Sequence, residues 1–511
     1  MSPTPELLAR AVEDFLAEAR DAIVMEHGEV LFDFATAKYS LSTEHNKCVL
    51  HLWSPERNIV RRVVDAERKG EVLTLAALRF GQAEASKLEI CHGRDRRTPT
   101  AKKAARAAYQ QLLRRLLERS FPGFTVDRLT SATDLERSFG PIYARGLLRR
   151  AGTAFAVFGV NAQETQASVD AALTFAILWL DDCRQSARAH VEGLKLFVPA
   201  GHSAVVRERM AHLDRTAAKW ALYELEEREQ ELAEIDTGDR GNIATRLVHA
   251  PDPAAAHERF AASIARIRGM APEAEAVVVS AGEIAFRLYG LEFARARMFP
   301  QAGSFRMSEE IVFGAGAEET ALSPQNEERF TAFARRLAEV RRPGGAHHEP
   351  LWRMHPERWL ETLVMRDVRV IDGRLAERAY SQVPAFSASD RAMIDVLSVT
   401  REGRLAVIEL KADEDVHLPL QGLDYWARVV WHHQRGEFQR YGYFAGEQLS
   451  PDSPLLFLVA PALRVHPATD TLLRYIAPEI PCELVAIDER WRDGVRVVFR
   501  KRSARASAAG L

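Results

Sequence analysis

The chain is poor in cysteine and has no long apolar segment. Its four cysteines are spread over 511 residues, and no two stand at the spacing of zinc ligands. A disulfide framework and a zinc module are therefore not expected, and the scatter suits a reducing compartment. No apolar run approaches membrane-spanning length, and the first residues lack the basic and apolar parts of a signal peptide. We expect a cytoplasmic protein that does not contact a membrane.

An excess of charge of one sign is also missing, since the formal net charge is −2. With 47% hydrophobic and 27% charged residues, the composition is that of a globular protein long enough for two to four domains. The sequence has no P-loop, no dinucleotide-type glycine loop and no Gly-x-Ser-x-Gly motif. No internal repeat is visible. Composition and common motifs therefore do not indicate a function, and we turn to the spacing of charged and polar residues in short segments.

A Glu-x-Lys motif follows a short apolar run in the C-terminal third. The stretch 391–411 reads as two strands around a glycine turn, with Asp395 early in the first strand and Glu409 and Lys411 at the end of the second. Side chains alternate along a strand, so Glu409 and Lys411 emerge on one face, and a hairpin register can bring Asp395 beside them. Two carboxylates and an ammonium at one sheet edge suit a divalent cation and a phosphodiester. The alternative is a solvated strand end, which the preceding buried run disfavours.

Two predicted helices flank this hairpin and add polar groups. The upstream helix has Pro356 in its first turn and carries Glu361 on the side of its packing residues. The downstream helix begins after Pro419, and its Gln421 and Tyr425 are four residues apart, so they share a face. Both could then reach a phosphate or a metal shell. The alternatives are a core aromatic for Tyr425 and a solvated first-turn side chain for Gln421.

This part of the chain resembles the core of the PD-(D/E)XK nuclease superfamily, especially its RecB-like and NucS-like branches. The resemblance rests on four elements in the same order and spacing: the helix acid Glu361, the strand acid Asp395, the strand with Glu409 and Lys411, and the helix with Gln421 and Tyr425. The resemblance covers roughly residues 349–498. Ile394, and not proline, precedes Asp395, as in many members. The resemblance implies hydrolysis of a phosphodiester, most often in DNA, with Mg²⁺ or Mn²⁺ as cofactor. It implies metal ligands Glu361, Asp395 and Glu409, and catalytic roles for Asp395, Glu409, Lys411, Gln421 and Tyr425.

Strands and helices alternate through the rest of the C-terminal third, as in an α/β core. Predicted strands lie at 455–460 and 482–487, with a short helix over 468–476 between them. The resemblance implies a restriction-endonuclease-like αβββαβ core. We expect an α/β multidomain chain with a β-rich N-terminal unit closed by a basic helix (1–120), a middle α/β region (121–345), a nuclease-like domain (349–500) and a disordered tail (501–511).

The middle region offers no motif of its own. It contains a predicted long helix over 163–183, and acids follow the strand 220–225, but no lysine stands two positions after an acid there. We expect a degenerate nuclease-like domain or an unrelated one. The segment 341–350, which holds prolines, two glycines and the adjacent His347 and His348, is the best linker in the chain.

Basic residues precede and fill a helix predicted from Thr100 to Arg119. Such a helix suits a phosphate backbone and would make binding sensitive to salt. The alternative is a solvated helix face balanced by acidic neighbours in space. The candidate nucleic-acid-binding residues are Arg94, Arg96, Arg97, Lys102, Lys103, Arg106, Arg114 and Arg115.

Together these features predict a metal-dependent deoxyribonuclease whose C-terminal domain cuts and whose N-terminal region selects the substrate, in repair, restriction or phage defence. DNA is the expected partner, RNA is an alternative, and a homodimeric state stays open. The main rival is a module that keeps the nuclease fold without turnover and binds nucleic acid or protein. The intact set of Asp395, Glu409 and Lys411 speaks against that rival.

Overall fold

The computed structural model of the protein describes residues 3–18, 22–26, 29–34, 37–43, 47–53, 58–70, 72–78, 85–92, 99–134, 137, 139–240, 243, 245–300, 307–314, 319–387 and 391–502. The chain forms two compact units, unit 1 (Met1–Arg96 with Pro251–Met354) and unit 2 (Arg97–Ala250 with His355–Leu511). It is a mixed α/β protein, and its described part holds four β-sheets. No helix in the described ranges is long and apolar enough to cross a membrane.

Unit 1 begins with a helix and a seven-stranded antiparallel sheet. Numbered along the whole chain, the elements are α1 Pro5–Glu18, β1 Ala22–Glu26, β2 Glu29–Asp33, β3 Lys38–Ser42, β4 Cys48–Trp53, β5 Asn58–Lys69, β6 Val72–Leu78 and β7 Ala85–His92, in the strand order β2-β1-β7-β6-β5-β4-β3. Alternation builds the sheet, since every second side chain of β4 is buried. Leu8, Val12 and Phe15 share one face of α1 and join this core.

A second, five-stranded antiparallel sheet of unit 1 shares a core with helices. Its elements are α5 Pro253–Arg259, α6 Ala261–Met270, β15 Glu275–Ser280, β16 Glu283–Leu288, β17 Leu291–Pro300, β18 Met307–Phe313, β19 Thr320–Ala321, α7 Glu327–Val340 and α8 Pro350–Arg353. Phe286 and Phe293 from the sheet pack with Phe330 of α7 in one buried cluster.

The segment 341–350, expected as a linker, is instead folded into unit 1. Arg341 is fully buried. Its guanidinium donates hydrogen bonds to the backbone carbonyls of Leu288, Tyr289, Leu351 and Met354. A buried guanidinium needs such acceptors because burial removes its hydrating water. Gly345 permits the tight turn here, since a Cβ on it would collide with the carbonyl of Val340. The linker expectation was therefore wrong for this segment.

The C-terminal half of unit 2 (residues 355–502) is a mixed sheet between helices. Its elements are α9 Pro356–Arg366, β20 Leu375–Ser387, β21 Arg391–Thr400, β22 Leu405–Leu410, α10 Leu418–Gln434, α11 Glu437–Arg440, β23 Leu455–Pro461, α12 Thr469–Arg474, β24 Cys482–Ile487 and β25 Val497–Arg502. Strands β20, β21 and β22 pair antiparallel, β22, β23 and β24 pair parallel, and β25 closes the edge antiparallel. Parallel neighbouring strands need crossover connections. The connection from β22 to β23 contains α10, and the connection from β23 to β24 contains α12. Residues 503–511 of the expected tail lie outside the described residues.

The middle half of unit 2 (residues 99–250) repeats this arrangement. Its elements are α2 Pro99–Ser120, β8 Thr125–Thr130, β9 Tyr143–Arg150, β10 Thr153–Val160, α3 Gln166–Ser186, β11 His190–Pro199, α4 Ala204–Met210, β12 Lys219–Glu226, β13 Glu231–Ile235 and β14 Thr245–Arg246. Strands β8, β9 and β10 pair antiparallel, β10, β11 and β12 pair parallel, and β13 closes antiparallel. The short β14 pairs with β20. The basic helix α2, expected to close the N-terminal strands, belongs to this half and packs Leu113 and Leu117 against its sheet.

Candidate active site

The hairpin of β21 and β22 carries an acidic pair where β22 ends. Val396 pairs with Ile408 in the antiparallel register, and Asp395 is the residue before Val396. The Asp395 carboxylate accepts a hydrogen bond from the backbone N–H of Leu410 at 3.0 Å. The structure thus brings Asp395 to the end of the strand that bears Glu409.

Glu409 is a buried acid with one open oxygen. Its residue is 1% exposed. Its Oε1 lies 3.3 Å from the Nζ of Lys411, while its Oε2 has no hydrogen-bond partner within the described part of the chain. Burial raises the pKa of the Glu409 carboxyl well above its usual value, and the charge of Asp395 raises it further, against a smaller opposing effect of Lys411. A buried carboxylate oxygen without a partner is energetically costly, so the site is suited to a cation or another polar ligand.

Lys411 lies among three carboxylates. Its Nζ is 3.3 Å from Oε1 of Glu409 and 3.7 Å from Oδ2 of Asp415. Burial by itself lowers the pKa of Lys411, but the charges of Glu409, Asp415 and Asp395 outweigh burial and raise this pKa overall. Lys411 is therefore an ammonium at neutral pH, which donates hydrogen bonds and carries positive charge.

Helix α10 places Gln421 and Tyr425 together beside Glu409. Gln421 Nε2 donates a hydrogen bond to the Tyr425 hydroxyl at 3.3 Å, so the two side chains share a face as their spacing predicts. Burial raises the pKa of Tyr425, and the negative charge of Glu409 adds to this. The helix comes close because Gly422 has no side chain. A Cβ at Gly422 would collide with Leu458 and lie 3.7 Å from the Cβ of Glu409.

Glu361 reaches this site from α9 through an intervening amide. Gln382 Nε2 donates to Oε2 of Glu361 at 2.6 Å and to Oδ1 of Asp395 at 3.3 Å. Arg358 also donates to Oε2 of Glu361, at 3.0 Å. Glu361 is 5% exposed, so these bonds compensate a buried charge. The structure thus links Glu361 to Asp395 through the side-chain amide of Gln382.

Gln382 is a site residue that the sequence analysis missed. It lies on β20 between Ser381, which pairs with Val396, and Val383, which pairs with Ile394. This register sets it opposite Asp395. Its φ of 52° is in the left-handed region, which a residue other than glycine rarely adopts unless its surroundings hold it there. No motif marks this glutamine, because only the pairing of β20 with β21 brings it to the acids.

Asp395 and Glu409 are the carboxylates best placed to hold a Mg²⁺ or Mn²⁺ ion. Both cations prefer oxygen ligands, and the open Oε2 of Glu409 supplies one inside the site. Among the described residues, no three His, Cys, Asp or Glu side chains lie close enough together to form a complete metal site. Asp395 and Glu409 could supply two oxygen ligands to such an ion, and metal binding at this site, like direct ligation by Glu361, stays a prediction.

The candidate nucleic-acid-binding residues of α2 differ in their surroundings. Arg106 makes a bidentate ion pair with Glu164, with N···O distances of 2.7 and 3.2 Å, so its charge is compensated within the middle half. Lys103 and Arg115 are exposed, whereas Lys102 and Arg114 are half-buried. Arg94, Arg96 and Arg97 lie outside the described residues. A role of this helix in binding nucleic acid stays a prediction.

Comparison with known proteins identifies no family. No protein-family model matches the chain, and no curated protein matches it. One similar chain comes from the solved structure described as "Structure of EndoMS-dsDNA2 complex", at 14% sequence identity over 41% of this chain and 92% of that chain, with a TM-score of 0.16. A TM-score this low does not support a conclusion about the fold or the function.

Proposed function

We propose that the C-terminal half of unit 2 is the catalytic part of a metal-dependent nuclease that hydrolyses a phosphodiester bond in DNA. The observation that carries the proposal is the Glu409 carboxylate. It is buried, it lies close to the charges of Asp395 and Lys411, and its Oε2 has no hydrogen-bond partner among the described residues. Two neighbouring acids in a buried position destabilise a fold unless a ligand uses them, so such acids are candidates for function.

The proposed roles follow from the contacts. Asp395 and Glu409 would hold Mg²⁺ or Mn²⁺, which when bound supplies positive charge to the phosphate and lowers the pKa of a water. The N–H of Leu410 keeps the Asp395 carboxylate in place. The Lys411 ammonium positions the attacking water and offsets charge on the phosphoryl oxygens. Gln421 and Tyr425 orient the scissile strand.

The reaction is a simple hydrolysis. The oxygen of a water molecule forms a bond to phosphorus, and the bond from phosphorus to the leaving sugar oxygen breaks. The water releases one proton to solvent, and the leaving oxygen takes up one. The side chains named above end the cycle in the state in which they began it.

A cleavage assay on the full chain tests the proposal. Labelled single-stranded DNA, duplex DNA, mismatched duplex and RNA would each be incubated with Mg²⁺, Mn²⁺ or a chelator. The proteins to compare are wild type, Glu409→Gln, Lys411→Met and the control Glu402→Gln. Glu402 is an exposed acid on the turn of the same hairpin, so its change leaves the site intact.

We expect wild type and Glu402→Gln to cut at least one DNA substrate with metal only. Glu409→Gln and Lys411→Met should lower the rate by about 10²-fold or more, the size seen when one group that stabilises the transition state is removed. Full activity of Glu409→Gln would exclude the proposed site. Cutting of RNA alone would change the substrate class. No cutting by wild type would favour a module that binds without turnover.

A further inference from the structure

The two halves of unit 2 correspond strand by strand. In the C-terminal half, Ile408 of β22 pairs with Val396 and with Phe457. In the middle half, Phe158 of β10 pairs with Arg145 and with Leu196. β10 therefore occupies the place of β22 in the same order of antiparallel and parallel neighbours.

The first crossover helix of each half marks the matching face: Glu409 lies beside Gly422 of α10, and Phe158 packs against Tyr143, which contacts Phe175 of α3. Phe158 thus lies on the face that corresponds to that of Glu409.

The corresponding face of the middle half lacks the chemistry of the proposed site. On this face β10 carries Phe158 and Val160, and β9 carries Tyr143 and Arg145. None of these side chains is a carboxylate or a lysine. Asn161, which follows β10, is buried, and its side chain bonds to Glu164 and to the N–H of Gln163.

Tyr109 of α2 packs against the opposite face of β10. A Cβ placed on Gly159 would lie only 2.6 Å from the Tyr109 hydroxyl oxygen. Tyr109 is 3% exposed, and among the described residues its hydroxyl has no hydrogen-bond partner. The face that corresponds to the acidic pair is filled by aromatic packing, with the ring centroids of Tyr143 and Phe158 4.9 Å apart.

The halves meet through equivalent elements in a reciprocal way. Arg209 of α4 binds Asp424 of α10 with N···O distances of 3.0 and 2.7 Å. Arg474 of α12 binds Asp181 of α3 at 3.3 Å. Each half thus offers an arginine from its second crossover helix to an aspartate on the first crossover helix of the other. Reciprocal contacts of this kind are the mark of a two-fold interface.

A backbone bridge lies on the seam between the halves. The N–H of Asp214 donates to the carbonyl of Tyr475 at 2.8 Å, and the N–H of Ala477 donates to the carbonyl of His212 at 3.0 Å. Leu213 and Ile476 face each other between these bonds. Helices α3 and α10 also contribute to one continuous apolar core. The crossover-helix face of the C-terminal half is therefore covered by the same chain.

We infer that unit 2 is an intrachain pair of nuclease-like cores with a single centre, so that one chain, acting alone, cuts one strand of a duplex in each binding event. The inference rests on the proposed function. A concerted cut of both strands uses two centres, one for each strand. Here Phe158 and Tyr143 fill the face of the middle half that corresponds to the acids, and the crossover-helix face of the C-terminal half is covered by the same chain. Each event forms one phosphorus–oxygen bond from water and breaks one to a sugar oxygen.

Three measurements on the full chain test this inference. Supercoiled circular DNA with Mn²⁺ distinguishes nicked circles from linear product. Sedimentation gives the number of chains in the protein, free and on a short duplex. Electron paramagnetic resonance of free Mn²⁺ gives the number of Mn²⁺ ions bound per chain. Glu409→Gln removes the proposed centre, and Tyr109→Phe is the control in the middle half, since it removes only a buried hydroxyl there.

We expect one chain per particle, one Mn²⁺ per chain, and nicked circles that accumulate at a rate proportional to protein concentration. Glu409→Gln should abolish the Mn²⁺ site and the nicking, and Tyr109→Phe should keep both. Linear DNA formed without a nicked intermediate, a dimeric active species or two Mn²⁺ ions per chain would overturn the inference and leave the proposed function standing. Absence of both Mn²⁺ binding and cleavage of any substrate would overturn the proposed function, and the inference with it.

Discussion

The carboxylate of Asp395 accepts a hydrogen bond from the backbone N–H of Leu410, at 3.0 Å. An acid on one strand of the hairpin is thus held by the backbone of the other, directly beside Glu409. A strand N–H normally bonds to a carbonyl, and here it bonds to a charged side chain. Hydrogen bonds with one charged partner are stronger than neutral ones, so this bond gives the acid a defined position.

The variant Asp395→Asn tests the charge of this acid, because asparagine has nearly the same shape. In Asp395→Asn, the side-chain oxygen can still accept from Leu410, but the negative charge is lost. We expect single-turnover cleavage with Mg²⁺ to fall by about 10²-fold or more, with an unchanged circular dichroism spectrum. A variant that cuts at the wild-type rate would show that Asp395 is structural only.

Gln382 positions two acids, and its loss should affect the response to metal. Gln382→Leu removes both hydrogen bonds from the amide, to Glu361 and to Asp395. Loss of a partner that orients a metal ligand typically weakens metal binding or activity by about 10- to 100-fold. We expect a higher Mn²⁺ concentration at half-maximal rate, with a smaller change in the rate at saturating Mn²⁺. A lower rate with an unchanged Mn²⁺ dependence would instead indicate a general effect on folding.

Removal of the buried charge should stabilise the protein while it inactivates the site. In Glu409→Gln, a neutral amide replaces a carboxylate whose Oε2 has no partner in the described chain. We expect the free energy of unfolding in a metal chelator to rise by about 1–4 kcal/mol, because burial and the charge of Asp395 disfavour the charged carboxylate and the amide carries no charge. Urea denaturation at pH 7 measures it. The exposed control Glu402→Gln should change stability by less than about 0.5 kcal/mol. A destabilised Glu409→Gln would mean that the carboxylate is satisfied in the native protein.

The seam of unit 2 should weaken in acid through His212. This histidine is 6% exposed and packs edge-on against Trp426, with ring centroids 5.5 Å apart. Burial, assisted by the charge of Arg240, lowers the pKa of His212 from 6.5 to about 4. Between these two values the unfolded chain binds more protons than the folded one, so stability is lost as the pH falls through this window.

Urea denaturation at pH 7 and pH 5 checks the effect of His212. From the two pKa values, this group should remove about 2 kcal/mol of stability between these pH values. The variant His212→Leu cannot take up a proton, so it should lose correspondingly less. An equal loss in the variant would assign the acid sensitivity to other groups.

Patterns among neighbouring residues in the sequence predict much of the proposed site. Apolar runs such as Leu405–Ile408 predict buried strands, and the four-residue spacing of Gln421 and Tyr425 predicts a shared helix face. These signals are reliable because side-chain direction follows from backbone geometry alone. Hence the hairpin of β21 and β22 and the helix α10 could be located before any contact was known.

Other features depend on which segments pair. Gln382 joins the site only because β20 pairs with β21 in a register that sets it opposite Asp395. The segment 341–350 looks like a linker, yet Arg341 buries its guanidinium among backbone carbonyls. Backbone carbonyls are present at every residue, so no sequence pattern indicates which of them will surround a buried charge.

The sequence by itself determined the strands, the helices and the cluster of acids, since these depend on residues that are near neighbours along the chain. Only the tertiary structure decided that the middle half repeats the C-terminal half, and that Phe158 and Tyr143 fill the face that corresponds to that of Glu409. The physical reason is that a buried strand requires apolar side chains of suitable volume and not particular ones. Two halves can therefore share a fold without sharing a visible pattern, and only their strand pairing and buried faces show which residues correspond.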